Sequence, residues 1–437
     1  MSLLIAFLAV YGLLALSHLG IQLLFGHVDY RRQKKAPFDP GWTPPVTVVV
    51  PVYNENISVL GACLGSIQRQ DYPGLQVLVV DDGSANREQL MEVLELFSDG
   101  AFRVLLKPNG GKRRSQRAVL AAASGDVIVT VDSDTVLEPG ALRAIVQRFA
   151  NPRVGAVTGD VGVDNRKQNL LTRLIGYRYW TAFHQERAAQ SLFRVVMCCS
   201  GPFSAYRKKL IDQLKDEYVE QIFLGQICTF GDDRHLTNLV LRAGYDVVFE
   251  RRAVARTQAP TTLGQYLRQQ VRWNKSFYRE MLVTARFAHR RHPYMAIDLV
   301  CQAALPFLLM AALGAMLYQA SFLGMNHLWQ YGLVMAGIAL LRSIYGMART
   351  RDPGFLLFVV YGFIHVFLLI PVRLYALATL KATGWGTRGN AGATAQPVRP
   401  AAPPVIARRY AHSTALLATG WMLVMSGTAS MAAIALV

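Results

Sequence analysis

Val127-Ile128-Val129-Thr130-Val131-Asp132-Ser133-Asp134 is the stretch that decides the fold. Its first five residues are β-branched, a composition that favours a strand buried on both faces. The run ends abruptly in two carboxylates separated by one residue. In an open α/β sheet, ligands gather beyond the carboxyl ends of the strands. A strand-terminal Asp-x-Asp presents both acids to that crevice, where carboxylates bind hard divalent cations together with substrate phosphates. The competing reading of Asp132 and Asp134 is an Asx-turn or helix cap.

The same pattern repeats upstream. Residues 46–50 form a β-branched run, residues 57–70 carry apolar side chains at helical spacing, and residues 75–80 form a second strand ending in Asp81-Asp82-Gly83. A helix over 87–97, a strand over 102–106, a helix over 115–123 and the strand 126–131 follow. Alternating strands and helices predict an α/β, doubly wound, mostly parallel sheet. Between strand and helix, Asn109-Gly110-Gly111-Lys112-Arg113-Arg114 is a Gly-rich turn with three cations but without P-loop spacing. It reads equally as a diphosphate contact or a solvated basic turn. Downstream, Gly231-Asp232-Asp233-Arg234 offers a general base for a hydroxyl or, alternatively, a helix cap. Gln269-Gln270-Val271-Arg272-Trp273 joins an amide, a planar cation and an aromatic platform, or else marks a membrane interface.

Composition sets the rest. The 437 residues are 52% hydrophobic and 17% charged, with a net charge of +18, and mean hydropathy is +0.24. These values exclude a disordered chain and a single small soluble domain. Residues 3–25 are long and apolar enough to span a bilayer, and Arg31, Arg32, Lys34 and Lys35 behind them place the next domain in the cytoplasm by the positive-inside rule. Further apolar blocks fall at 296–318, 328–347, 354–380 and 413–436. Pro371 and Arg373 interrupt the third, and the basic residues behind it favour a re-entrant or interfacial segment. The expected organisation is an anchor (1–27), a cytoplasmic domain (37–275), interfacial and membrane helices (276–380), a cytoplasmic loop and linker (381–412) and a last span (413–436). Asp298, Gln302 and Gln319 are candidates for lining a path through the membrane. The basic surplus lies at membrane flanks, which suits anionic lipid and argues against nucleic acid. Cys63, Cys198, Cys199, Cys228 and Cys301 show no zinc or disulfide spacing.

Taken in order, Val49-Pro51-Tyr53-Asn54-Glu55, Asp81-Asp82-Gly83, Asp132-Ser133-Asp134, Gly231-Asp232-Asp233-Arg234 and Gln269-x-x-Arg272-Trp273 resemble the processive, inverting family 2 glycosyltransferases. The resemblance implies a GT-A-like domain using UDP-sugars with Mg²⁺ or Mn²⁺ and extruding a growing polysaccharide from the cell membrane. Within that group, Cys199-Ser200-Gly201-Pro202, Arg272 through Glu280 and Gly384-Trp385-Gly386-Thr387-Arg388 resemble hyaluronan synthases, which use UDP-GlcNAc and UDP-GlcA. Tyr179-Trp180, Glu186 through Ser191 and Gly231-x-Asp233-Arg234-His235 resemble rhizobial chitin-oligosaccharide synthases, which use UDP-GlcNAc alone. Asn274-Lys275, and Asp232 where the rhizobial pattern has Glu, favour the hyaluronan reading.

The roles implied are as follows. Tyr53, Glu55, Asp81 and Asp82 hold uracil and ribose, while Lys112 and Arg113 lie near the diphosphate or donor sugar. Asp132 contacts the donor and Asp134 ligates the metal. Asp233, beside Asp232, is the base. Arg272 faces the pyrophosphate, with Gln269 of the same motif among the catalytic residues, Trp273 and Cys199 through Pro202 face the acceptor, and Trp385 and Arg388 close over the nucleotide. Oligomeric state is not legible. A non-enzymatic polysaccharide-binding or transport protein is the alternative from another class.

Overall fold

The computed structural model describes residues 2–97, 100–323 and 328–382. Within them the strands are β1 (Val46–Val52), β2 (Gln76–Asp81), β3 (Phe102–Leu106), β4 (Val127–Val131), β5 (Thr135–Leu137), β6 (Val154–Val163), β7 (Phe203–Arg207), β8 (Ile222–Phe223), β9 (Gln226–Ile227) and β10 (Asp246–Thr257). Eight of them form one sheet in the order β3-β2-β1-β4-β7-β6-β10-β5, and β8 and β9 make a separate hairpin. β1 through β4 are mutually parallel, and β6 is parallel to β10. β7 runs against both β4 and β6, so β6 and β10 point the same way as β1. The carboxyl ends of β1, β2 and β4 therefore lie side by side.

β4 is buried at every position, as its β-branched composition requires. Two helices begin earlier than their hydrophobic spacing predicts. One spans Lys112–Leu120 and the other Asp232–Arg242. Each follows a glycine with positive φ, Gly111 at 86° and Gly231 at 77°, a conformation that glycine adopts without a Cβ penalty. Asp232 and Asp233 sit in a first helical turn, where the helix dipole favours negative charge.

The N-terminal helix runs from Ser2 to Lys35, well past the expected end of the anchor at residue 27. Among the described residues, three helical stretches are long and apolar enough to cross a membrane: Leu8–Lys35, Pro293–Tyr318 and Pro353–Ala378. Such helices fit a membrane-associated protein. The predicted block at 328–347 is a helix, Leu328–Thr350. The stretch predicted to be broken at Pro371 is a continuous series of short helices, with Pro371 just after the π-turn His365–Leu369, a local adjustment that accommodates a proline inside a helix. Helix Leu263–Ala285 runs straight through the boundary expected at 275. The span at 413–436, the linker, Trp385 and Arg388 lie outside the described residues.

Asp298 departs from the expected path-lining role. It is fully buried, with His18 Nε2 at 2.7 Å and Gln190 Nε2 and Gln302 Nε2 donating to it at 2.7 and 2.9 Å. A buried carboxylate needs such partners, and these join the N-terminal helix, helix Pro293–Leu323 and helix Ala188–Leu192 at one point.

Candidate active site

The two acidic strand ends are organised differently. At the end of β2, Asp81 accepts from Arg87 Nε at 2.8 Å and from Ser84 N at 3.0 Å. Asp82 pairs with Lys107 and accepts from Gly110 N at 3.0 Å and Gly111 N at 2.8 Å. Asp82 thus shapes the Gly-rich turn. Gly83, with φ of 77°, meets that turn so closely that a Cβ would lie 2.6 Å from Asn109 N. Beyond β1, Tyr53 leads to Asn54, which has φ of 48° and whose Oδ1 accepts from Ala85 N at 2.8 Å. The buried Glu55 accepts from Ser133 Oγ and from Asn56 N. Ser133 lies between the two Asp-x-Asp carboxylates, so Glu55 ties the β1 loop to that motif.

At the end of β4, Lys112 Nζ donates to Asp132 Oδ1 at 2.6 Å and lies 3.3 Å from Asp232 Oδ2. One ammonium therefore bridges the strand-end acid and the acid opening helix Asp232–Arg242. Burial works against its charge, but Asp132 and Asp232 outweigh it and hold the Lys112 pKa well above the usual value. Asp134 Oδ1 accepts from Thr257 Oγ1 at 3.1 Å and from Thr135 Oγ1 at 3.4 Å.

Asp232 and Asp233 diverge. Burial pushes both pKa values up, but Lys112 and Arg113 reverse this for Asp232 and bring it below the ordinary value. Asp233 is raised by burial and by the neighbouring Asp232. Its Oδ1 accepts from Arg234 N at 2.8 Å, and its Oδ2 faces Cys198 Sγ at 3.6 Å. Neighbouring carboxylates whose environments separate their pKa values mark acid–base assignments. The segment expected to meet the acceptor is adjacent. Cys199 N donates to Thr237 Oγ1 at 2.9 Å and Ser200 N to Thr158 Oγ1 at 3.1 Å. A Cβ on Gly201 would stand 3.3 Å from Asp132 Oδ2, and Pro202 O accepts from Asp132 N.

Arg113 is buried and bonded within the protein. Successive helical residues turn by about 100°, so with Lys112 toward the acids, Arg113 points inward. It donates to Tyr218 O, Gln221 Oε1 and Phe230 O at 3.2, 2.9 and 3.2 Å. Its role is to hold the loop that carries Asp232 and Asp233.

Gln269, Arg272 and Trp273 share one face of helix Leu263–Ala285, as their spacing requires. Gln269 and Arg272 are half-buried, and Trp273 is 44% exposed with its ring 6.3 Å from that of Tyr179. Asn274 Nδ2 donates to Gln270 O and Lys275 Nζ to Ala382 O. Both bond to the chain's own carbonyls.

The residue that sequence reading missed is Glu280, on the same helix. It is fully buried. Its carboxylate accepts from Gln221 Nε2 at 2.6 Å, Asn238 Nδ2 at 3.0 Å and Arg279 Nε at 3.3 Å, with His235 Nδ1 at 3.2 Å. Burial opposes its charge, yet His235 and Arg279 hold its pKa down to about 2. Gln221 passes the connection to Arg113, while His235 and Asn238 belong to the helix that begins at Asp232. Glu280 therefore fixes the acid pair's helix from behind.

The chain matches the model of glycosyltransferase like family 2 over residues 44–276, and it belongs to that family. It is 37% identical to an N-acetylglucosaminyltransferase of Sinorhizobium fredii over 91% of this chain and 97% of the relative. It is 41% identical to an N-acetylglucosaminyltransferase of Mesorhizobium japonicum over 80% of this chain and 82% of the relative. A solved mannosyltransferase from Pyrobaculum calidifontis, in complex with GDP-Man and Mn²⁺, superposes with a TM-score of 0.56 at 22% identity, covering 83% of this chain and 99% of its own. That likeness establishes the GT-A-like fold. The relatives' names correspond to the rhizobial resemblance and not to hyaluronan synthesis.

Proposed function

We propose that this protein is a membrane-associated, inverting N-acetylglucosaminyltransferase that builds a short β-linked N-acetylglucosamine chain from UDP-GlcNAc. The observation that carries the mechanism is the split acid pair. Asp232 is neutralised by Lys112, while Asp233 has a raised pKa and lies against the segment 198–202. These features support Asp233 as the carboxylate base for an acceptor hydroxyl.

In this reading Tyr53, Glu55, Asp81 and Asp82 surround the nucleoside. Asp233 takes the proton of the acceptor hydroxyl as its oxygen attacks the anomeric carbon opposite the departing UDP. One displacement on an α-linked donor leaves a β-linkage. Arg272 and Gln269 face the diphosphate, and Trp273 offers its exposed face to the acceptor sugar. Among the described residues no cluster of three or more His, Cys, Asp or Glu is placed to hold a metal alone. Asp134 at a strand end suits an ion that completes its shell from substrate phosphates, as Mg²⁺ and Mn²⁺ do. Asp134 would hold such an ion, which would supply positive charge for the departing diphosphate. Polysaccharide and membrane lipid are the remaining partners, with the catalytic domain on the cytoplasmic side.

Membranes carrying the protein, supplied with UDP-GlcNAc alone, UDP-GlcA alone or both, test the donor. Chitinase-sensitive oligosaccharide from UDP-GlcNAc alone is expected. Product that forms only with both donors and yields to hyaluronidase would return the hyaluronan reading.

A further inference from the structure

A cavity of about 230 Å³ lies away from the carboxyl ends of the strands that carry the catalytic acids. It is lined by Asp29, Arg32, Arg148, Arg194 and Arg252, with Val154, the first residue of β6, among its walls. Because β6 runs parallel to β1 and β4, this is the opposite edge of the sheet from the acids. The volume is smaller than the roughly 300–1,000 Å³ of drug-sized ligand sites and suits a compact headgroup.

Its charge is unbalanced. Arg148 Nε and Arg252 Nε both donate to the buried Glu250, at 2.6 and 2.9 Å. Arg194 Nη1 lies 3.2 Å from Asp246, which Arg153 and Arg291 also approach. Asp29 is the one acid in the lining, and its Oδ2 is already bonded to Gln33 Nε2 at 2.6 Å. Cations therefore outnumber the acids that neutralise them, which calls for an anion.

Depth supplies the source. The apolar stretch runs from Leu3 to Phe25, and Arg31, Arg32, Lys34 and Lys35 follow it. At about 1.5 Å per residue, a stretch of that length crosses the roughly 30 Å of hydrocarbon. Asp29 then lies in the roughly 5–8 Å headgroup layer, with Arg32 and Gln33 in the next turn and their side chains leaning back toward it. The same turns are clamped to the catalytic domain, since Gln33 Nε2 donates to Phe249 O at 3.0 Å and Arg251 N to Gln33 Oε1 at 3.0 Å.

We infer that this cavity is a binding site for the phosphate headgroup of an anionic phospholipid, at the seam between the N-terminal helix and the sheet. The site is separate from the donor and acceptor machinery, so its occupant does not depend on which sugar is transferred.

The test is binding of fluorescent phosphatidylglycerol and phosphatidylcholine to the full chain in mixed detergent micelles. Two doubly substituted proteins remove equal charge from the same end of the helix or its neighbour: Arg32→Gln with Arg194→Gln inside the cavity, and Lys34→Gln with Lys35→Gln outside it. Each cavity arginine is expected to account for about fivefold in phosphatidylglycerol affinity. The lysine pair is expected to leave most of the binding intact, and UDP release in neutral micelles should stay unchanged in both. Arg32→Gln alone, at an exposed position, gives the smaller step if the double substitution folds poorly. Equal losses from the two pairs would reduce the effect to general surface attraction and overturn the site. Equal binding of phosphatidylcholine, or full competition by inorganic phosphate at the lipid's own concentration, would also overturn it.

Discussion

Two carboxylate clusters stand on either side of helix Asp232–Arg242, and they are built to opposite ends. In front, Lys112 is shared between Asp132 and Asp232, Asp132 keeps 29% of its side chain exposed, and Asp233 keeps a raised pKa. Behind, Glu280 is fully buried with four partners from three separate segments. The front cluster can exchange one partner for another when a charged substrate arrives. The rear cluster cannot, because each lost partner strands a buried charge. Rigidity at the rear holds the helix of the front cluster at a fixed place.

The largest expected effect tests the rear. Glu280→Ala leaves Arg279 and His235 facing a buried vacancy, and thermal unfolding should report a loss of about 3–5 kcal/mol. Glu280→Gln keeps hydrogen bonding and should recover part of it. Since the folded pKa of Glu280 lies near 2 against an ordinary 4.5, its stabilisation is complete above about 4.5 and is lost as pH falls toward 2. An acid-unfolding midpoint unmoved by Glu280→Gln would break the contrast.

Next comes the front. Lys112→Met should reduce transfer about 10²–10³-fold with little effect on unfolding, by analogy with loss of one charge-stabilising donor. A stability loss matching that of Glu280→Ala would make the two clusters one. Between them, Gly231→Ala puts a Cβ 2.1 Å from Ser276 Oγ at a φ of 77°. Strain of that kind costs on the order of 1–3 kcal/mol, and kcat should fall while UDP affinity holds. The smallest effect is in the pH profile. A base must be ionised, so the rate should rise with pH through the Asp233 pKa, above the usual carboxylate value near 3.9. Lys112 lowers that pKa, so Lys112→Met should move the acid limb to higher pH.

Asp132 and Asp134 were legible because they follow an apolar strand. Val127 through Val131 announce a buried strand, and Asp132 and Asp134 can only sit at its exit. Helix starts were less legible, because Lys112 and Asp232 are charged and their helices depend on positive φ at Gly111 and Gly231. The burial of Arg113 was not legible, because a turn of three cations does not tell which cation faces inward. Glu280 was invisible in its role: its partners lie 42 to 59 residues away in the chain, apart from its neighbour Arg279. Asn274-Lys275 pointed to one donor set and the relatives' names point to the other, while the two side chains bond to Gln270 O and Ala382 O.

The central claim is that Asp233 is the base, set in place by an acid pair whose other member is neutralised. Asp233→Asn tests it in one measurement, UDP binding and UDP-GlcNAc-dependent transfer on the same preparation. Transfer should fall at least about 10²–10⁴-fold with UDP affinity unchanged. Transfer retained at the wild-type rate would contradict the assignment.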